Sequence, residues 1–311
     1  AVDCYNAGAT VLHVHVREPD GTGSKDLDRF NEMLDRLRSA VPGMILQVGG
    51  SISFAPKNDG EAAKWLSDDT RHMLADLTPA PDQVTLAVNT NQMNVMELIT
   101  EDDCAGTSMG ETNYADAYTE MYYEAGPKFM KEHMKRLTAS GIQTHFMIAT
   151  ARDLETVERL VRTGHYMGPL VCNWVAIGGG ADGPNPRNLM EFVNRLPQNA
   201  VFTVEGLMRN VYPLCTMGIA MGFHVRVGQE DNMWGRKGER ATSVQQIEKM
   251  VRISEELYRP IATADEARRI YKIGTFYGSV EETLRENGWL PNRNTNFGVA
   301  NMRSAPLGAL V

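Results

Sequence analysis

Short runs rich in Val, Ile, Leu and Phe recur along this chain, with amphipathic stretches of helical period between them. That alternation leaves few folds open. The strand-like runs are Thr10–Arg17, Met44–Gly49, Gln83–Asn89, Ile142–Ala149, Leu170–Gly178, Ala200–Glu205 and Phe223–Glu230. Several are apolar on both faces, as strands of a covered parallel sheet are. Between them, Leu27–Ala40 sets Phe30, Met33, Leu34 and Leu37 on one helical face, and Asp153–Thr163 does the same with Leu154, Val157, Leu160 and Val161. Thr242–Tyr258 turns Ile247, Val251, Ser254 and Leu257 inward, and Ser243 with Gln246 reads as its capping box.

Strict β-α alternation predicts a parallel sheet with helical crossovers. Ala1–Ala9 reads as the end of a helix stopped at Gly8, so an eighth strand is expected before Ala1. Eight such units close into a (β/α)₈ TIM barrel. A doubly wound open sheet is the rival. Residues 1–278 are assigned to the barrel, with a long insert at about 90–140. Residues 279–311 form a C-terminal arm with little periodicity but with Trp289 and Leu290, expected at a subunit interface.

The chemistry concentrates on the first and last of these runs. Side chains alternate along a strand, so His13 and His15 project from one face, about 6–7 Å apart along the backbone. The run then turns polar through Arg17-Glu18-Pro19-Asp20-Gly21. Two imidazoles with Glu230 make a three-ligand divalent site with one position free, the pattern of catalytic zinc, with Mn²⁺ or Fe²⁺ as alternatives. A lone strand histidine is more often core packing, and a strand-end carboxylate often only caps or pairs. The paired spacing at a strand end that turns polar favours the metal reading, and the metal residues in turn favour the barrel over the open sheet, because closure makes the first and last strands near neighbours.

Arg226 shares a strand face with Glu230. A buried guanidinium needs an anion, and Asp231 or Glu230 would supply it. Held that way, Asp231 would be a general base beside the metal. Two glycine-rich turns, Gly49-Gly50-Ser51 and Gly178-Gly179-Gly180, each follow a strand. Either would present backbone N–H groups to a carboxylate or phosphate, or serve only as a tight turn.

A net charge of −8 argues against nucleic acid or an anionic membrane surface as partner. No apolar run approaches the ~20 residues of a membrane helix. Cys4, Cys104, Cys172 and Cys215 are scattered without a CxxC, which fits reduced thiols and a cytoplasmic setting, with Cys172 as buried packing.

At these residues the chain resembles the beta-keto acid cleavage enzymes, whose type member is 3-keto-5-aminohexanoate cleavage enzyme. The matching motifs are Ala7-Gly8-Ala9 leading to His13-x-His15-x-Arg17, then Gly49-Gly50-Ser51, then Val225-Arg226-Val227-Gly228-x-Glu230-Asp231-Asn232, and Ala262-Thr263-Ala264-Asp265-Glu266-Ala267-Arg268. The resemblance implies a zinc-dependent barrel, assembled as a homotetramer, with acetyl-CoA as co-substrate. It implies a Claisen-type exchange in which a beta-keto acid and acetyl-CoA give acetoacetate and a new acyl-CoA. Zinc would sit on His13, His15 and Glu230, with Asp231 as base supported by Arg226. Ser51, Gly50 and Thr90 would lie on the substrate side.

Where the family has a Pro-Glu-x-Glu pattern this chain reads Thr144-His145-Phe146-Met147, so His145 is expected to meet the substrate tail in place of an acid. The alternatives are a hydroxymethylglutaryl-CoA lyase-type cleavage, an amidohydrolase-like hydrolase recruiting His145 and Asp231 as ligands, and a non-catalytic metal-binding barrel.

Overall fold

The computed structural model describes residues 1–19, 21, 23–50, 68–97, 99, 100, 102, 105, 106, 118–207, 210–236 and 238–293. Seven parallel strands form one sheet: β1 (Val11–Val14), β2 (Ile45–Val48), β3 (Gln83–Ala87), β6 (Gln143–Ile148), β7 (Val171–Ala176), β8 (Val201–Gly206) and β9 (His224–Val225), in that order across the sheet. A separate antiparallel hairpin pairs β4 (Asn91–Met93) with β5 (Met121–Tyr123). Each strand-like run of the sequence is thus a strand of the main sheet, shorter than its apolar run except for Val201–Gly206, which matches its run in length and is shifted by one residue. The architecture is TIM-barrel-like. β1 and β9 are its outer strands, and among the described residues no strand lies between them.

The outward faces of the strands are apolar and packed under helices. Leu46, Val48 and Val84 meet Phe30 and Leu34 of the helix Leu27–Ala40, with Met33 and Leu37 at the margin. That helix starts where the Asp26 carboxylate accepts from the N–H groups of Asp28 and Arg29, satisfying otherwise orphaned donors of the first turn. On the other side Trp174, Phe202 and Val204 pack with Leu189 and Phe192 of the helix Pro186–Arg195. Fully burying side chains of this size contributes about 1.5–3 kcal/mol each. Cys172 lies in this core, as expected of a packing thiol.

The inward faces differ from the apolar expectation. The floor is apolar, where Val11, Ile45, Val171 and Val201 surround Tyr271 and Ala267. Above it the inward positions are polar: Gln47, Gln83, Thr85, Gln143, His145, Asn173, Thr203 and Glu205, each at most 7% exposed. A buried row of this kind must satisfy itself by hydrogen bonding, and it leaves polar groups facing the interior.

Two local readings are corrected. The capping box of the helix Ser243–Glu256 is made by Thr242 with Gln245. Ser243 Oγ instead accepts from Gln229 N–H, and Gln246 donates to the Asn232 carbonyl. Nor is all of 90–140 an insert. Pro127–Ala139 is a crossover helix with Phe129, Met130, Met134 and Leu137 buried. Thr90 Oγ1 accepts from Ala125 N–H, joining the two ends of the true insertion.

The arm is described through Arg293. Its helix Val280–Asn287 docks on the chain's own barrel. Asn287 accepts from Leu170 N–H and donates to the Gly168 carbonyl, and Arg162 donates to the Leu290 carbonyl. Among the described residues no helix is long and apolar enough to cross a membrane.

Candidate functional site

His13 and His15 leave β1 on its inward face, and Glu230 follows β9 across the opening between the outer strands. The two Nε2 atoms stand 3.0 Å apart. Glu230 Oε1 lies 3.0 Å from His15 Nε2 and 3.6 Å from His13 Nε2. Among the described residues these three form the group of His, Cys, Asp and Glu side chains able to hold one metal ion. Donors about 2.0–2.1 Å from a tetrahedral ion stand about 3.3 Å from one another, and the observed triangle brackets that spacing.

Space for the His15 ring comes from Gly49. A Cβ at residue 49 would overlap the imidazole, and one at residue 50 would overlap the Thr85 carbonyl oxygen. The Gly50 N–H donates to Thr85 Oγ1 at 2.7 Å. Gly179 and Gly180 likewise approach the backbone of Asn94 and Gln92, holding the hairpin against the sheet. Close backbone approach therefore accounts for glycine in both turns. Ser51 lies outside the described residues.

Arg226 grips Asp231 through two parallel hydrogen bonds of 2.8 and 2.9 Å. The same guanidinium lies 3.1 Å from Glu230 and 3.5 Å from Glu205. Burial strips solvent from Arg226, but these carboxylates raise its pKa and keep it cationic. Burial and the nearby Glu230 push the Asp231 pKa up, against the pull of Arg226. Glu230 goes the other way: despite partial burial, the His15 hydrogen bond and Arg226 hold it well below the usual carboxylate range. His13 is held neutral, first by burial and then by Arg226, which is the form a metal ligand needs.

Sequence reasoning passed over Glu205. Its side chain is 1% exposed, and burial and the neighbouring carboxylates push its pKa to about 8. Asn173 Nδ2 donates to Glu205, and Asn173 Oδ1 stands 3.1 Å from His145 Nε2. His145 is neutral by burial, with its pKa lowered to about 3. Its Nδ1 has no partner among the described residues. The available signal for Glu205 was an acid at the inward end of an otherwise apolar run. Three carboxylates thus converge on one guanidinium. On spacing and on the neutral state of His13 the residues fit a divalent ion.

His145 and Asp231 are engaged by Asn173 and Arg226 and stand outside the ligand triangle, unlike an amidohydrolase-type arrangement. A cavity of about 550 Å³ opens beside it, lined by His13, Gln47, His145, Asn173, Glu205 and Arg226 among others, a size that suits a small organic ligand.

Fold and site together define an α/β barrel-like protein whose polar site residues border a ligand-sized cavity of mixed polar and apolar lining, at the strand ends where barrels carry their active sites. The chain belongs to the beta-keto acid cleavage enzyme family, whose model matches residues 1–273. It is 30% identical over 274 residues to the 3-keto-5-aminohexanoate cleavage enzyme of Acetoanaerobium sticklandii, covering 88% of this chain and 87% of that one. It is 27% identical to the 3-dehydrocarnitine:acetyl-CoA trimethylamine transferase of Rhizobium meliloti, covering 88% and 86%. Among solved structures, the binary complex of ObcA with oxaloacetate superposes with a TM-score of 0.63 at 13% identity. That match covers 88% of this chain and 65% of the other, and is a likeness of fold.

Proposed function

We propose that this chain is a metal-dependent beta-keto acid cleavage enzyme that transfers the acyl part of its substrate to coenzyme A, using acetyl-CoA as co-substrate. The observation that carries the reading is the His13–His15–Glu230 triangle standing beside the Arg226–Asp231 pair in a chain of this family. Zinc is the preferred ion, with Mn²⁺ or Fe²⁺ as alternatives. Bound there, a divalent ion supplies Lewis acidity toward the ketone and carboxylate oxygens of a keto acid.

Asp231 is the base. Buried and raised in proton affinity, it accepts a proton at a carboxylate oxygen while Arg226 fixes its plane. In the exchange, the C2–C3 bond of the keto acid breaks and C2 joins the acetyl carbonyl carbon. Acetoacetate leaves, and the C3 acyl group ends as the new thioester. His145, which lines the cavity, contacts the substrate tail, and Gly50, Ser51 and Thr90 complete the substrate side. Assembly as a cytoplasmic homotetramer with residues 279–311 at an interface belongs to the same proposal.

Metal content by elemental analysis, with thioester turnover on the same samples, tests it. Wild type should carry about one ion per chain and turn over, and His13→Ala should lose both together. Turnover that survives loss of the ion would overturn the metal part of the reading.

A further inference from the structure

One buried row runs sideways through four strands. His13 of β1 is the Cα partner of Gln47 on β2, Gln47 of Gln83 on β3, and Gln83 of Gln143 on β6. Their side chains are joined in the same order. His13 Nδ1 lies 2.8 Å from Gln47 Oε1, Gln47 Nε2 donates to Gln83 Oε1 at 2.7 Å, and Gln83 Nε2 donates to Gln143 Oε1 at 2.6 Å. The row ends on backbone, where Gln143 Nε2 donates to the Tyr271 carbonyl at 2.9 Å and reaches the Lys272 carbonyl at 3.2 Å. These carbonyls belong to the two residues that follow the helix Ala264–Ile270, where a helix end leaves acceptors outside its own ladder; the Lys272 carbonyl also accepts from Thr275 N–H.

We propose that Gln47, Gln83 and Gln143 are positioning residues, forming a directional amide relay that fixes His13 as its Nδ1–H tautomer and leaves Nε2 as a bare lone pair facing His15 and Glu230. The direction follows from the end of the chain. A carbonyl oxygen can only accept, so the nitrogen of Gln143 must face Tyr271 and Lys272, and its oxygen must face Gln83. The same logic turns Gln83 and then Gln47, whose oxygen is left facing His13. An oxygen accepts only from an N–H, so Nδ1 carries the proton. Reversing any one amide would set oxygen against oxygen and nitrogen against nitrogen. With Gln83 and Gln143 at 0% exposure and Gln47 at 4%, solvent does not relieve such a clash. Proton placement on a metal-ligating imidazole is commonly fixed by one outer partner. Here the instruction originates at a helix end three strands away.

The role given to Nε2 rests on the metal reading, whereas the tautomer does not. Long-range ¹H–¹⁵N correlation spectra of metal-free protein at mildly alkaline pH read it directly, with the His13 signals assigned by their loss in His13→Gln. Wild type should show His13 protonated at Nδ1 alone. Gln83→Met should give averaged tautomers and weaken zinc binding about tenfold, the lower end for lost outer-shell partners. Gln47→Glu placed on Gln83→Met should restore both readings, because either carboxylate oxygen accepts. Should Gln83→Met fail to fold, Gln47→Met, which removes the acceptor itself, gives the same readout.

Nε2 protonation in wild type, or an unchanged Nδ1–H signal in both Met variants, would overturn the relay. Failure of zinc to bind a correctly tautomerised wild type would instead sink the metal reading and leave the relay standing.

Discussion

The imidazole of His15 fills the space that a Cβ on Gly49 would occupy. Sequence alone offered this glycine as an anion cradle or a tight turn, and the structure shows what its missing side chain makes room for. Gly49→Ala should therefore displace a ligand while leaving every donor atom of the triangle in the chain. We expect zinc affinity to fall at least about tenfold, as misplacement of ligand geometry does, with little change in secondary structure. Zinc titration against a chromophoric chelator reads it, and an unchanged affinity would remove His15 from the site.

Glu230 and Asp231 are adjacent in sequence and both meet the Arg226 guanidinium, yet only Glu230 also reaches the two imidazoles. Substitutions should separate them. Glu230→Ala is expected to lose metal and activity together. Asp231→Asn is expected to keep the metal and lower turnover about 10²–10⁴-fold, the range for a general base. Near-normal turnover by Asp231→Asn would show that the base lies elsewhere.

Away from this site, His133 is 1% exposed and packed on His72 and Phe129, with the Arg71 guanidinium over the Phe129 ring. Burial first, then His72 and Arg71, lower its pKa from 6.5 to about 3. The unfolded chain therefore binds a proton that the folded chain refuses. Its contribution to stability is complete above pH 6.5 and is lost toward pH 3, by up to about 1.4 kcal/mol per pH unit. Urea midpoints of metal-free protein should fall from pH 7 to pH 5, and less steeply in His133→Phe. An identical slope in that variant would mean that His133 titrates normally.

Asp82 ties the underside of the sheet together. Its carboxylate accepts from Arg268 at 2.6 Å, Arg38 at 2.7 Å and the Leu46 N–H at 2.8 Å. These partners outweigh burial and lower its pKa. Asp82→Ala takes the shared carboxylate from two partly exposed guanidinium groups and the Leu46 N–H and should destabilise by about 1–3 kcal/mol, with metal stoichiometry unchanged at low temperature. Denaturant titration beside metal analysis checks both halves, and a loss under 1 kcal/mol would contradict it.

How far the sequence could be read follows from which interactions are local. The seven strands and the face of Leu27–Ala40 were legible because periodicity is a property of neighbours along the chain. The shared face of His13 and His15 was legible because a two-residue spacing along a strand fixes it, whereas their approach to Glu230 depends on how the outer strands are brought together. The Gln47–Gln83–Gln143 row was invisible, since it depends on lateral register between strands far apart in sequence. Glu205 was passed over for the same reason: its partners Asn173 and Arg226 lie on other strands. Thr242 rather than Ser243 caps its helix because a tertiary donor, Gln229 N–H, claims the serine oxygen. The helix Pro127–Ala139 was absorbed into an apparent insert, its start marked only by proline at the first turn and no side-chain cap.

The central claim is carbon-carbon exchange with acetyl-CoA, and isotope position tests it most directly. Metal-replete protein would be incubated with acetyl-CoA labelled with ¹³C at both acetyl carbons and a panel of beta-keto acids, and the products read by NMR and mass spectrometry. Exchange yields acetoacetate labelled at C3 and C4, with an unlabelled acyl-CoA whose acyl group matches the C3 end of the keto acid. Label recovered only in acetate or unreacted acetyl-CoA, with keto acid consumed and no new thioester, would contradict it.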